Sequence, residues 1–231
     1  MPQKLNMTTA VLVFANSPSA ETLHKPIHNA ENLYHELTGQ VIQTVEKSGL
    51  PYFHFTEHEQ TGFSFGERFT NAIQAVFDHG FDNVITIGND SPQLKASHIK
   101  SASLHLNKQE FVLGPSTDGG FYLMGIQRTQ FNATKFKNLP WQTNRTATTL
   151  LGLIQETNPK VVRLEILTDV DCISDLKQLL NLFHSIPNAI MEQMRSILSV
   201  NSLQVIYEQI YFSKDFGKSF YNKGSPLVAL I

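Results

Sequence analysis

One cysteine, Cys172, and one tryptophan, Trp141, are all that 231 residues carry of those two types. A single thiol allows no internal disulfide, so the fold has to be held by its core. Charge of either sign is scarce. The 18 Lys plus Arg against 20 Asp plus Glu leave a net charge of −2, without the basic surplus of an electrostatic nucleic-acid binder. An anionic ligand must therefore be held locally by a few placed groups. No apolar run approaches the roughly eighteen residues of a membrane span. No positive-then-apolar leader pattern opens the chain, and it has neither an internal repeat nor a low-complexity tract. These absences predict a cytoplasmic protein with no membrane span and no nucleic-acid partner. What is present, 41% hydrophobic residues in a chain of this length, suits one α/β domain with room for a small appendage.

The stretch from Asn83 to Ile126 organises the rest. Val84-Ile85-Thr86-Ile87 and Phe111-Val112-Leu113 read as buried strands, and the helical pattern between them, Ser97 to Leu106, predicts a crossover between parallel strands. Each strand runs into a polar turn with an aspartate: Gly88-Asn89-Asp90-Ser91-Pro92, then Gly114-Pro115-Ser116-Thr117-Asp118-Gly119-Gly120. Ligands of such sheets lie beyond the carboxyl ends of the strands, so Asp90 and Asp118 are expected to open onto one crevice. Two carboxylates about 4 Å apart repel by roughly 4 kcal/mol at an effective dielectric of 20, unless a proton or cation lies between them. Mg²⁺ or Mn²⁺ fits that place. Magnesium takes one or two carboxylates plus substrate phosphates, which predicts a phosphorylated ligand. Gly119 and Gly120 leave room for it to approach. The plainer alternative is that Asp90 caps a turn and Asp-Gly-Gly is a hairpin turn.

The succession Gly-x-Asp-x-Pro, then Gly-Pro-x-x-Asp-Gly-Gly-Phe-Tyr-Leu-x-Gly, resembles a bacterial family of glycosyltransferase-like proteins described by the uncharacterised domain DUF2064. The resemblance extends roughly from Val11 to Phe183. It implies a nucleotide-diphospho-sugar transferase (GT-A, Rossmann-like) fold, a mostly parallel sheet flanked by helices. It also implies kinship with 2-phospho-L-lactate guanylyltransferase. The first strand, Ala10 to Ala15, leads to the loop where such a family holds phosphates, but Asn16 stands where a lysine is expected. His24-Lys25-Pro26-Ile27 replaces Lys-Thr-Arg-Leu, leaving Lys25 either as a phosphate ligand or as a solvated loop lysine. Gln60-x-Gly62 is similar to the family's turn against the base. Arg68 is open to two readings, a bidentate phosphate ligand or a salt bridge with Glu67 or Asp90. Ser64-x-x-Glu67 is itself a capping box. Trp141 matches a Trp-x-Thr segment that closes the acceptor side, or it plugs a loop. Asp169-Val170-Asp171 resembles an Asp-x-Asp element, with Asp171 either a third metal carboxylate or a helix cap and Asp169 structural.

Helices are predicted over Asn29–Lys47, Ser64–His79, Thr146–Glu156 and Ile173–Phe183, and strands over Tyr52–Phe55 and Val161–Leu167. Residues 1–185 are expected to form the transferase-like domain and 186–231 a C-terminal helical extension and tail. The helices of that extension either pack on the domain or form a homodimer face. The leading functional expectation is metal-dependent glycosyl transfer from a nucleotide-diphospho-sugar to an acceptor that the sequence does not name, with Asp118 or Asp171 as base. Its alternatives are nucleotidyl transfer, and a non-catalytic nucleotide-binding relative that has lost the Lys/Arg loop.

Overall fold

A computed structural model describes residues 7–181 and 186–200. Six strands, β1 (Thr9–Phe14), β2 (Tyr52–Phe55), β3 (Asn83–Ile87), β4 (Phe111–Pro115), β5 (Phe121–Gln127) and β6 (Val161–Arg163), form one sheet in the order β2-β1-β3-β5-β4-β6. Strand β5 runs antiparallel to both neighbours, and every other pairing is parallel. The expected crossover is present, through α4 (Ala96–Leu106), but its two parallel strands do not touch. Strand β5 returns from β4 and inserts between them. The Ser116 to Gly120 segment is therefore a hairpin turn and also lies at the carboxyl end of β4.

Strand residues alternate between two apolar layers. Leu12, Val84, Leu113 and Met124 face α3 (Phe65–Asp78) and α6 (Thr146–Gln155), meeting Phe69, Ile73, Phe77 and Leu150. Val11, Val13, Ile85 and Val112 face α2 (Glu31–Glu46) and α4, meeting Val41, Val45, Ile99 and Leu106. Each of these fully buried large side chains contributes about 1.5–3 kcal/mol of transfer free energy. The capping box forms as its spacing predicts: Glu67 N–H donates to Ser64 Oγ at 3.1 Å, and Glu67 Oε2 accepts from Ser64 N.

Three local expectations are corrected. Residues 18–24 form a helix, α1 (Pro18–His24), with Ser17 as its N-cap and Pro18 in its first turn. The helix expected from Asn29 starts at Glu31: Asn29 takes a left-handed conformation (φ 58°), and Ala30 precedes α2 without a side-chain cap. Asp171 does not cap α7 (Ile173–Leu180). Asp175 does so from inside, accepting from the N–H groups of Asp171 and Cys172.

Residues 188–200 are helical up to the last described residue. Ile190, Met191, Met194 and Ile197 are buried with Leu33 and Leu37 of α2 and Leu176 and Leu179 of α7, so this part of the extension packs on the domain. The remaining helix and tail read from the sequence, with Lys218, Lys223 and Gly224, lie outside the described residues. No described helix is long and apolar enough to cross a membrane.

Gly114 is where the hairpin is tightest. A Cβ there would lie 2.4 Å from the Tyr122 ring, whose hydroxyl is tied to the Glu165 carbonyl at 3.0 Å. Gly114→Ala is expected to lower stability by about 1–3 kcal/mol, and by clearly less in a Tyr122→Leu background. Equal losses in both backgrounds on urea denaturation would rule this contact out.

Candidate functional site

The carboxyl ends of β1, β3 and β4 open onto one cleft of about 670 Å³. Its walls divide by chemistry. Phe14, Phe65, Phe69, Phe121 and Trp141 line one side, and Glu21, Lys25, Asp90, Asp118, Asp169 and Asp171 the other.

The acidic side is assembled from four segments. After β1, the Glu57 carboxylate accepts from Ser17 N (2.7 Å) and Ser17 Oγ (2.6 Å), which fixes the start of α1. Asn16 donates to Glu21 from its side chain and its backbone. Burial raises the Glu21 pKa, and Lys25 works against that rise. Lys25 ends α1 with extended backbone (φ −107°, ψ 135°), and its side chain turns into the cleft. Its ammonium donates to the Val170 carbonyl at 2.8 Å and Asp90 Oδ2 at 3.1 Å, and pairs with Asp171 Oδ1 at 2.9 Å. The side chain is only 15% exposed, so Lys25 is not a solvated loop residue. Burial opposes its charge, but Asp90, Asp171 and Glu21 more than offset this and hold its pKa above the ordinary lysine value.

After β3, Asn89 is anchored to Thr38 of α2, and the Asp90 carbonyl accepts from Val170 N. Ser91 donates its hydroxyl to Asp169. After β4, Asp118 Oδ1 accepts from Ser116 Oγ (2.5 Å) and Gly120 N (2.9 Å). This is the side-chain-to-backbone closure that makes aspartate a turn residue. The loop beyond β6 runs beside it, joined by Thr117 N to the Leu167 carbonyl. Glu21 is the most deeply buried of these acids, and Asp169 is half-buried beside Ser91. Burial pushes the Asp169 pKa up to about 8, with Asp90 and then Asp118 adding to the rise and the hydrogen bond from Ser91 reducing it. Burial raises the Asp171 pKa too, against the pull of Lys25.

On the aromatic side Trp141 packs on Phe65, Phe69 and Phe121, with ring centroids 5.6, 5.1 and 6.1 Å away, and donates Nε1–H to the Phe136 carbonyl at 2.7 Å. It plugs the loop and also lines the cleft. A Cβ on Gly66 would meet its ring at 2.6 Å, so α3 presses directly on it. Arg68 lines the cleft between the two walls. It forms neither of the expected salt bridges: Glu67 is occupied by the capping box and Asp90 by Lys25.

Of the residues singled out from the sequence, the structure brings Asn16, Lys25, Arg68, Asp90, Asp118, Gly120, Trp141 and Asp171 to one cleft. Gly62 and Gly119 are not among its lining residues. A Cβ on Gly62 (φ 133°) would meet Glu67, and one on Gly119 (φ 92°) would meet the Asn144 backbone at 2.5 Å. Both serve the packing of loops. Among the described residues, no group of three or more His, Cys, Asp or Glu is placed to hold a metal ion. The sequence reading missed two lining acids. Glu21 carried no signal, because its helix was read as a loop. Asp169 did: it stands two residues from Asp171, the spacing that puts side chains on one side of an extended segment.

This architecture is of the nucleotide-diphospho-sugar transferase type. A protein of Desulfovibrio desulfuricans G20, provisionally assigned as such a transferase, shares the fold with a TM-score of 0.68 at 21% identity, over 84% of this chain and 98% of its own. Two structures are similar with lower scores. One is Rv0371c of Mycobacterium tuberculosis H37Rv in complex with manganese (14% identity, 76% of this chain and 99% of that one, TM-score 0.44). The other is a cytidylyltransferase of Leptospira borgpetersenii serovar Hardjo-bovis (12%, 85% and 96%, 0.43). The resemblance to DUF2064 holds: residues 37–143 match the model of that family, described as an uncharacterized protein conserved in bacteria. The match takes in Arg68, Asp90, Asp118 and Trp141, and leaves out the segments carrying Lys25 and Asp169-Val170-Asp171. No curated protein matches the sequence.

The raised pKa of Asp169 fixes the sign of a pH effect. A carboxyl whose folded pKa lies above its unfolded value stabilises fully below the unfolded value, and this contribution is lost as pH rises through the folded one. In metal-free buffer, stability is expected to fall between pH 3.8 and about 8 on account of Asp169. Asp169→Asn should flatten that decline. Identical pH–stability curves for native and variant protein would show that the Asp169 charge does not matter.

Proposed function

We propose that the chain is a transferase that binds a nucleotide-diphospho-sugar together with Mg²⁺ or Mn²⁺ and passes the sugar to an acceptor hydroxyl. The observation that carries this reading is the composition of the cleft. Five carboxylates face two cationic side chains, Lys25 and Arg68, across a space closed on one side by aromatic rings. Such a cleft repels a diphosphate unless a cation enters with it. The donors are hard oxygens, which suit magnesium and manganese. Magnesium binds through one or two carboxylates and completes its shell with phosphate and water oxygens, so the scarcity of protein ligands fits a metal that arrives with its ligand.

Asp90 and Asp118 are the residues that would hold the cation, Asp118 already oriented by Ser116 and Gly120. When bound, the cation would neutralise charge on the departing diphosphate as a Lewis acid. Arg68, with no ion-pair partner among the described residues, offers its guanidinium to a phosphate bidentately. Asp171, with its raised pKa and half-exposed side chain, would take the proton of an acceptor hydroxyl. The wall of Phe65, Phe121 and Trp141 keeps water from that side of the cleft.

One observation favours a second reading, nucleotidyl transfer. The positive charge that its leaving pyrophosphate needs is not lost with the altered loop, because Lys25 does reach the cleft. Product analysis separates the two, since glycosyl transfer releases a nucleoside diphosphate and nucleotidyl transfer releases pyrophosphate.

Calorimetric titration with UDP-, GDP-, CDP- and ADP-sugars and with nucleoside triphosphates, with and without Mg²⁺ or Mn²⁺, tests the proposal. Metal-dependent binding is expected for one base, and it should be abolished by Asp90→Asn and by Asp118→Asn. Arg68→Ala should weaken it by roughly ten- to a hundredfold, the loss of one charged hydrogen bond. A folded protein that binds none of these ligands would be a non-catalytic relative instead.

A further inference from the structure

The Lys25 ammonium has three N–H donors, and the structure gives it three oxygen partners: Val170 O, Asp90 Oδ2 and Asp171 Oδ1, at 2.8, 3.1 and 2.9 Å. Three oxygens, two of them carboxylate, in a site largely shut off from solvent are the surroundings of a hard cation. The residue assigned as a metal carboxylate, Asp90, thus already has a cation on one of its oxygens, and so has Asp171. A divalent ion beside Asp90 would stand within a few ångströms of that ammonium, where like charges repel strongly in a partly buried site. Five carboxyl groups still line the cleft against Lys25 and Arg68. The obstacle to a metal is therefore local to Lys25 and not a shortage of anionic donors.

We propose that Lys25 is a resident counter-ion that competes with the divalent cation for Asp90. The site then binds metal weakly on its own, and takes it up when an anionic ligand draws the ammonium away. The inference rests on the metal-dependent reading given above and adds an order of events to it. Lys25 is built for such an exchange. Its charge sits on a flexible four-carbon stem at the end of a seven-residue helix, and its ammonium can trade carboxylate oxygens for phosphate oxygens without changing its own chemistry. By linkage, the phosphate-bearing ligand and the metal then each raise the other's affinity.

The test is Mn²⁺ binding to EDTA-stripped, full-length protein, read from the electron paramagnetic resonance signal of the free ion. No nucleotide is present in the first series. Lys25→Met and Lys25→Gln are expected to bind Mn²⁺ at least about tenfold more tightly than the native chain, the effect of removing one nearby positive charge. Adding Asp90→Asn to either should cancel the gain. Lys25→Gln keeps an N–H for the Val170 carbonyl and serves if the Met variant does not fold. Mn²⁺ should also raise the melting temperature of the Lys25 variants more than that of the native protein. Native affinity equal to or above that of both variants, with Asp90→Asn still abolishing binding, would overturn the competition while leaving the metal-dependent reading in place. No Mn²⁺ binding by any of these proteins, even with saturating nucleotide, would overturn both.

Discussion

An ammonium ion shut away from water among oxygens decides how this cleft is built. Lys25 is held by residues 65, 145 and 146 positions further along the chain, so its three contacts tie the segment after β1 to the turn after β3 and to the loop beyond β6. The second and third of these segments bring Asp90 and Asp171, and the lysine sets one positive charge between the two carboxyl groups. Asp169, which the ammonium does not contact, has its pKa pushed up to about 8. Burial is the first cause of that rise, and the neighbouring Asp90 and Asp118 carboxylates add to it.

The hairpin between β4 and β5 contributes the other constraint. Because β5 returns antiparallel and fills the gap between β3 and β4, the aspartate of a tight turn is delivered to the carboxyl end of a parallel strand. Structural and chemical uses of Asp118 are therefore not alternatives. The same Oδ1 that closes the turn on Ser116 and Gly120 orients the carboxylate towards the cleft. Trp141 likewise does two things at once. It seals the loop after α5 (Ala133–Lys137) against α3 and presents part of its ring to the ligand space. Sites built this way inherit rigidity from the fold, which lowers the cost of holding their groups in place.

Much of this was legible beforehand because it is local. Apolar runs bounded by Gly, Pro, Asn and Asp located β1, β3 and β4, and the four-residue spacing of Leu33, Leu37, Val41 and Val45 located α2. Ser64 and Glu67 announced the start of α3, since each of these patterns reports a constraint within a few residues of itself. Asp90 and Asp118 could be assigned to one crevice because the carboxyl ends of parallel strands lie on the same edge of a sheet. At Gly119 a free path for a ligand and a free path for the Asn144 backbone look alike in sequence, because both ask for a missing Cβ.

The sequence by itself determined the α/β class, most of the elements, and the pair of aspartates on one edge, through hydrophobic periodicity and turn chemistry that act over short distances. The tertiary structure alone decided which cation Asp90 meets, that Asp169 and Asp171 both line the cleft, and that Arg68 lines it without an ion-pair partner among the described residues. Those outcomes depend on distances between segments far apart in the chain. Coulombic and desolvation energies change by several kcal/mol over a few ångströms, and no local pattern of residues records them.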